Sequence, residues 1–427
     1  MAGVVLGPEP IPGHTAQLPN SRSVLERDPV ERLRLVSFER NLWQVGVADL
    51  EGSVADVTPE RLRAWFADDA RIRELAMLRT CQRLVVFAVS PDPTLEHRAE
   101  RELGRTGPWM ARSDAEAVRH LYRIAGGLES RAPGEREVRE QVRAATGSVL
   151  SRHPRPILRR LFVAAAAGAA CLDGAETGSV ADLAVEWLRP RIPAANARVL
   201  VLGAGTVGRR VAERLAPFAR VTVVYRRHPP DEAWRGRTAV AAVPSEEMGP
   251  ALVRADAVVA AAKTTGRLLG VHDLPVTGGP RWFVDLGLPR NIDPDIGLRD
   301  GTQLIDLDGL PRGRLPASRL AEMTETVDRA AERGIRELAA AAVEPWISEL
   351  RGWAEEVRRE EWERAVHHAG AVEDTARAAF ERCSERLVRR LLEGPSRELR
   401  RLPTGPEMDL FRRHVLELFR DETSPGP

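Results

Sequence analysis

The chain has 427 residues, 43% of them hydrophobic and 29% charged, which implies about three domains of ordinary soluble composition. Lysine and arginine total 63 against 62 acidic residues, so no global basic field draws in nucleic acid, and any such partner has to be held by local patches. Cys81, Cys171 and Cys383 are too few and too scattered for a disulfide framework or a zinc pattern; no apolar run is long enough to span a membrane, and no signal peptide opens the chain, so a cytoplasmic protein is expected.

Residues 1–30, with Gly7-Pro8-Glu9-Pro10-Ile11-Pro12-Gly13 near the front, bury too little to order themselves and read as a flexible tail. Residues 31–155 read as a small α+β domain. Arg32 to Phe38 alternates like a strand, and Thr58-Pro59-Glu60 opens a helix with Thr as its cap and Pro in its first turn. The stretch from Met77 to Phe87 places the thiol of Cys81 at the head of an apolar strand, with Arg83 two residues on. A nearby cation favours the nucleophilic thiolate, although a lone cysteine is also a common core residue. A helix with a capping box of Ser113 and Glu116 carries His120-Leu121-Tyr122. Two turns then bring Glu129, Ser130 and Glu135, either as the lining of a polar pocket or as ordinary solvated caps, before a helix from Arg136 to Leu150.

Residues 156–197 read as connecting helices, with the small-residue run Ala164 to Ala170 suited to close packing and Pro190 and Pro193 closing the segment. Residues 198–312 carry the strongest local signal. The strand Arg198 to Leu202 leads into Gly203-Ala204-Gly205-Thr206-Val207-Gly208, a helix to Leu215, and a second strand ending in Tyr225-Arg226-Arg227. That order specifies a Rossmann-type dinucleotide site: glycines for the tight turn and the close approach of pyrophosphate, and a helix N-terminus for its charge. Arg226 and Arg227 stand where an NAD site usually has an acid, and two guanidiniums suit a 2′-phosphate, so NADPH is the expected cofactor. Further strands end near Thr265-Gly266 and Leu288-Pro289, which places those residues toward the nicotinamide. Residues 313–427 read as a long spinal helix, with Leu320, Met323, Val327, Ala330, Ile335 and Leu338 on one face and a kink at Pro345, and then an arginine-rich helical region. The helix suits a spine or a dimer contact, and the arginines suit solvent or tRNA.

In this order the segments resemble the glutamyl-tRNA reductase family, from about residue 31 to 402. Arg79-Thr80-Cys81-Gln82-Arg83 is similar to S-T-C-N-R, and His120-Leu121-Tyr122, Gly127-Leu128-Glu129-Ser130 and Gly134-Glu135 are similar to H-L-F, G-L-D-S and G-E. Tyr225-Arg226 stands for N-R; Asp285 to Pro294 and Leu391 to Pro395 also match. The resemblance implies a multidomain α/β fold: an N-terminal catalytic α+β domain, a Rossmann-type NADPH domain, and a spinal helix leading to a helical dimerisation domain of a V-shaped homodimer. It implies attack by Cys81 on the ester that joins glutamate to tRNA, then reduction of the thioester by NADPH to glutamate 1-semialdehyde for tetrapyrrole synthesis, with an aminotransferase downstream. His120 would assist proton transfer, Arg83 would hold the glutamate carboxylate, and Thr80, Ser130, Glu135 and Gln141 would contact the substrate. The chain departs from the family at Phe38 to Gln44, where H-x-T-A-P is expected, and at Ala169 to Thr177, where a basic segment is expected. Gln82 replaces Asn, Val85 replaces a common acid, and Glu137 replaces Gln. Two alternatives follow from these changes: a thioester-forming reductase acting on another aminoacyl-tRNA or a carrier-bound acyl group, and a non-catalytic dimeric homologue that binds tRNA or a reductase.

Overall fold

A computed structural model describes residues 33–104, 107–170, 172, 178–193, 196–238, 240–264, 266–369 and 373–401. The expected tail, Cys171, Thr265 and the chain beyond residue 401 lie outside the described residues, as does most of the segment from 171 to 177.

The first domain runs β1 (Arg34–Asn41), α1 (Leu42–Asp56), α2 (Pro59–Asp68), β2 (Glu74–Arg79), β3 (Arg83–Ser90), α3 (Leu95–Leu103), β4 (Met110–Ser113), α4 (Asp114–Ala125), α5 (Arg136–Ala144), β5 (Leu150–Ser151), α6 (Ile157–Ala170) and α7 (Val180–Leu188). Its antiparallel sheet has the order β4-β1-β3-β2-β5. Helices cover both faces, which is why β3 is buried along its whole length instead of alternating. Val36, Phe38, Leu84 and Val86 join one apolar core with residues of α1 and α2. Leu35, Val85 and Phe87 face α4 and α6 in another, where Phe87 meets Phe162 edge-on at 5.2 Å. One consequence is unusual for a strand interior: Ser37, Glu39, Arg40 and Asn41 are all buried on β1.

Several local signals hold and several give way to tertiary partners. Thr58 caps α2 as expected, its side chain accepting from Arg61 N. The capping box at Ser113 does not form, because the Ser113 hydroxyl donates to Glu96 across 3.0 Å and leaves the helix end uncapped by it. The helix expected to run to Leu150 stops at Ala144. A 3₁₀ turn follows, Ser148 bonds to the backbone of Met77 in both directions, and Leu150 pairs with β2.

The second domain runs β6 (Arg198–Leu202), α8 (Thr206–Leu215), β7 (Arg220–Tyr225), α9 (Glu232–Thr238), β8 (Ala241–Pro244), α10 (Met248–Val253), β9 (Ala257–Ala260), β10 (Trp282–Asp285) and β11 (Gln303–Ile305). Its parallel sheet, in the order β11-β10-β9-β6-β7-β8, reverses direction of winding between β6 and β9, the place where such sheets bind ligands. This domain does not hang free of the first. Glu51 on α1 takes both the backbone N–H and the guanidinium of Arg290, at 2.9 and 3.0 Å, and Val47 N donates to Asp308 at 2.6 Å.

The spinal helix α11 (Ala317–Ala369) is continuous across Pro345 and spans 53 residues, roughly 80 Å at 1.5 Å per residue. Small residues let it approach α4 and α6 closely: a Cβ on Gly168 would lie 3.0 Å from Ala330, and one on Gly334 would lie 2.7 Å from the Tyr122 hydroxyl. Met323, Val327, Ala330 and Leu338 form the buried stripe as expected, whereas Leu320 is exposed. The last described helix, α12 (Asp374–Arg401), returns along α11, with Leu392 and Leu399 against Val343, Ile347 and Leu350. It leaves Phe380, Leu387 and Leu391 exposed. None of the described helices is long and apolar enough to cross a membrane.

Candidate active site

Thr80, Cys81 and Gln82 form the tight turn between β2 and β3, closed by Thr80 N donating to Arg83 O at 3.0 Å. Thr80 is spent on the turn, its hydroxyl oxygen accepting from Gln82 N. The Gln82 side chain lies over the thiol, with Nε2 3.8 Å from Cys81 Sγ, and reaches Ser130 at 3.3 Å and Glu135 at 3.4 Å. Ser130 in turn donates to Glu135 at 2.6 Å, and Arg131 N donates to Gln82 Oε1 at 2.7 Å. The two turns that left a choice between pocket and solvated caps are thus buried together beside the cysteine. Gly127 makes this possible: its φ is +67°, and a Cβ there would lie 2.7 Å from Glu135 N. Gln141, on α5, makes none of these bonds; its Oε1 is buried without a partner among the described residues.

The electrostatics differ from the sequence expectation. Arg83 does not activate the thiol, because its guanidinium is committed elsewhere. Nη1 donates to Glu39 at 3.1 Å and to Glu129 at 2.9 Å, and Nη2 bonds the Glu129 carbonyl. Burial, and after it the Glu135 carboxylate, push the Cys81 thiol up to about 12. Burial likewise carries Glu135 up to about 7, against the bond from Ser130. At neutral pH the resting group is therefore the thiol. Replacing Glu135 by Gln removes the negative neighbour and should speed alkylation of Cys81 by iodoacetamide at pH 8.5, where Glu135 is ionised, by roughly 10-fold, the effect of one pKa unit. A rate equal to wild type would show that Glu135 does not govern the thiol.

Glu39 was not singled out in the sequence, yet it is the centre of the charged cluster below the turn. Burial alone would raise its pKa, but His120, Arg83 and Arg112 together hold it down at about 2. Arg112 Nη1 lies 2.9 Å from its Oε2, and His120 Nε2 lies 3.0 Å from the same oxygen, an ion-pair distance without hydrogen-bond alignment. The other ring nitrogen, Nδ1, is 3.2 Å from Glu129 Oε2. Burial opposes charge on His120, but the bonds and charges of Glu129 and Glu39 outweigh it and raise the imidazole. One carboxylate oxygen each from Glu39 and Glu129 and a nitrogen of His120 lie within 4.8 Å of one another. Arg83 and Arg112 already neutralise those carboxylates, so a metal ion would have to displace a guanidinium.

At the carboxyl ends of the second sheet, the glycine turn is built as its pattern requires. Gly203 has φ +114°, and a Cβ on it would lie 2.9 Å from Ala261 O. A Cβ on Gly208 would lie 2.0 Å from Gly203 O, whereas one on Gly205 would meet only open space, which leaves room for a phosphate at the N-terminus of α8. Ala204 and Val207 lie partly buried against the core and Thr206 is exposed. Tyr225 ends β7 half-buried, followed by Arg226 and Arg227, both exposed. Gly266 is exposed, and Leu288 packs on the core next to Pro289. Sequence reading also missed the brace behind this face. Asp285, raised by burial to about 7, accepts from Gly287 N and Ile292 N, while Asn291 accepts from Ala262 N at 2.8 Å. These residues fit a dinucleotide. Cys81, Ala204, Val207 and Leu288 all pack against one continuous apolar core that crosses both domains.

Comparison with known proteins covers the whole of this arrangement. Residues 48–171 match the family model for the glutamyl-tRNA(Glu) reductase N-terminal domain, residues 188–312 that for shikimate/quinate 5-dehydrogenase, and residues 322–421 that for the glutamyl-tRNA(Glu) reductase dimerisation domain. The glutamyl-tRNA reductase of Thermomicrobium roseum is 31% identical over 380 residues, 82% of this chain and 86% of that protein. The one from Kineococcus radiotolerans is 30% identical, covering 81% and 84%. Among solved structures, glutamyl-tRNA reductase from Methanopyrus kandleri aligns over 90% of this chain and 98% of its own, with 21% identity and a TM-score of 0.49.

Proposed function

The chain belongs to the glutamyl-tRNA reductase family, and on that premise we propose that it reduces the glutamyl group of glutamyl-tRNA to glutamate 1-semialdehyde, with NADPH, through a thioester on Cys81. The observation that carries this reading is the junction of a buried-turn cysteine, its polar cluster and a fitted dinucleotide turn on one core. Cys81 Sγ forms a bond to the ester carbonyl carbon as the bond to the tRNA 3′-oxygen breaks, and the leaving oxygen takes a proton from His120. When bound, NADPH supplies the hydride that converts the acyl group to the aldehyde; the carbon–sulfur bond breaks and the sulfur recovers its electron pair. A thioester accepts hydride more readily than an oxygen ester, which is the reason for dividing the reaction at a thiol.

Glu129 shapes substrate entry. In this structure its carboxylate occupies the place at Arg83 that a substrate carboxylate would take, and its side chain is about a third exposed, at 33%. The glutamyl carboxylate enters by displacing it, while Gln82, Ser130 and Glu135 line the seat beside the thiol. The exposed apolar face of α12 supports a homodimer. The exposed pair Arg226 and Arg227 favours NADPH, since neither has a carboxylate partner among the described residues. Replacing both with Ala should raise the KM for NADPH by about 100-fold, on the scale of two charge-assisted bonds at ~1.5 kcal/mol each, and leave NADH nearly unchanged; equal losses would refute the 2′-phosphate reading. The function itself is tested by incubating the purified chain with NADPH and individually charged tRNAs while following NADPH absorbance. Turnover with glutamyl-tRNA is expected, and turnover only with another charged tRNA would replace the substrate.

A further inference from the structure

Glu39 has no solvent exposure and lies in the middle of β1, between β3 and β4, on the sheet face covered by α4. Its two oxygens gather three cationic groups from three different elements: Arg83 on β3 at 3.1 Å, Arg112 on β4 at 2.9 Å and His120 on α4 at 3.0 Å. The ring of His120 therefore stands between two carboxylates, with Nε2 beside Glu39 and Nδ1 beside Glu129. Nδ1 is hydrogen-bonded to Glu129, whereas the Glu39 oxygen lies 3.0 Å from Nε2 out of hydrogen-bond alignment and acts there by its charge. Between two carboxylates the imidazolium is favoured over the neutral ring. The two carboxylates are not equivalent. Glu129 sits on a turn with its side chain partly in solvent and is the group a substrate carboxylate displaces, whereas Glu39 is enclosed and stays.

We propose that Glu39 is a positioning residue for acyl transfer, which fixes Arg83 and holds His120 in the protonated form that donates to the departing 3′-oxygen. This inference rests on the functional reading above. The balance is complete without another reagent: the sulfur–carbon bond forms as the thiol releases its proton, the carbon–oxygen bond breaks, His120 gives its proton to the ribose oxygen and takes one up from water, so no proton is gained or lost overall. The charged groups facing the ring are Glu39 from β1, Arg83 from β3, Arg112 from β4 and Glu129 from the turn after α4. With Glu129 displaced by substrate, Glu39 is the protein carboxylate left to balance them.

The test is an NMR titration of the full-length protein with labelled histidine, the His120 signal being assigned among the nine histidines by its loss in His120→Asn. Glu39→Gln keeps the size and an acceptor oxygen but removes the charge. It should lower the His120 midpoint by about one pH unit or more, the usual effect of losing an adjacent opposite charge, and should lower kcat for glutamyl-tRNA by about 100-fold, within the range of proton-transfer catalysis. Should this variant not fold, Glu39→Asp, which draws the oxygens back by one methylene, should lower the midpoint by a smaller amount. A midpoint unmoved in the variant that folds overturns the inference. The titration needs no substrate, so a shifted midpoint in a protein without glutamyl-tRNA turnover would overturn the functional reading and leave the placement of Glu39 standing.

Discussion

Cys81→Ala should abolish NADPH-dependent reduction of glutamyl-tRNA, by at least about 10⁴-fold, and leave dinucleotide affinity unchanged. No neighbouring group can take over the nucleophile's part. The Thr80 hydroxyl oxygen accepts from Gln82 N, the Ser130 hydroxyl donates to Glu135, and Gln82 carries only an amide. Cys81→Ser should fare no better, since any acyl group it accepted would be an oxygen ester that resists hydride. The measurement is turnover by NADPH absorbance, paired with trapping of acyl-enzyme from radiolabelled glutamyl-tRNA by acid quench. Wild type should yield a labelled protein that the Ala variant does not. Residual reduction above about one per cent of wild type would show that hydride reaches the ester directly and that no thioester is needed.

The two halves of this site were legible in the sequence to different degrees, for a physical reason. The cofactor turn is written within thirty consecutive residues: a strand, three glycines at fixed spacing, a helix and a second strand, each read by its own local rule. The thiol and its polar turns were also visible as residues. The electrostatics linking them was not, because the partners of Arg83 come from 44 and 46 residues away, on β1 and on the turn after α4. Reading Arg83 as the activator of Cys81 took nearness in sequence for nearness in charge. The guanidinium points down into the cluster, and burial together with Glu135 sets the thiol instead.

Glu39 escaped notice for a related reason. The alternating strand read from the sequence ends at Phe38 and leaves Glu39 in the stretch where H-x-T-A-P is expected, whereas the strand runs on to Asn41 inside a sheet covered on both faces. A signal did exist. Val85 stands where the resemblance expects an acid, and Glu39 is its direct cross-strand partner on the same face of the sheet. On this face β1 carries a carboxylate opposite the apolar Val85 of β3, 3.0 Å from His120. Two departures that look independent in the sequence stand side by side once the register is known. The same holds at Ser113, where a good capping pattern lost to Glu96, a partner 17 residues back.

Gly208→Ala should separate the two half-reactions. The new methyl carbon would lie 2.0 Å from Gly203 O, far inside any real contact. The carbonyl is held, because Gly203 N is bonded to Val224 O at 2.9 Å and the residue sits at φ +114° where even a Cβ would lie 2.9 Å from Ala261 O. The start of α8 has to move off β6 instead, and the N–H groups aimed at the pyrophosphate move with it. Each charge-assisted bond lost costs about 1.5 to 3 kcal/mol, so dinucleotide affinity should fall by roughly 10- to 100-fold or more. The thiol turn and the His120 cluster belong to the other sheet, and the side chain of α8 that reaches toward them is Arg210, 3.6 Å from Glu137. Acyl transfer to Cys81 should therefore proceed at nearly the wild-type rate while reduction fails, and the thioester, left without hydride, should be lost to water. The expected signature is deacylation of glutamyl-tRNA that releases glutamate in place of the semialdehyde and still requires Cys81. Unimpaired reduction would remove the glycine turn as the dinucleotide seat. Loss of deacylation as well, in a variant with a wild-type unfolding midpoint, would mean that the thiol works only when the cofactor domain is correctly seated against it, through contacts such as Glu51 with Arg290.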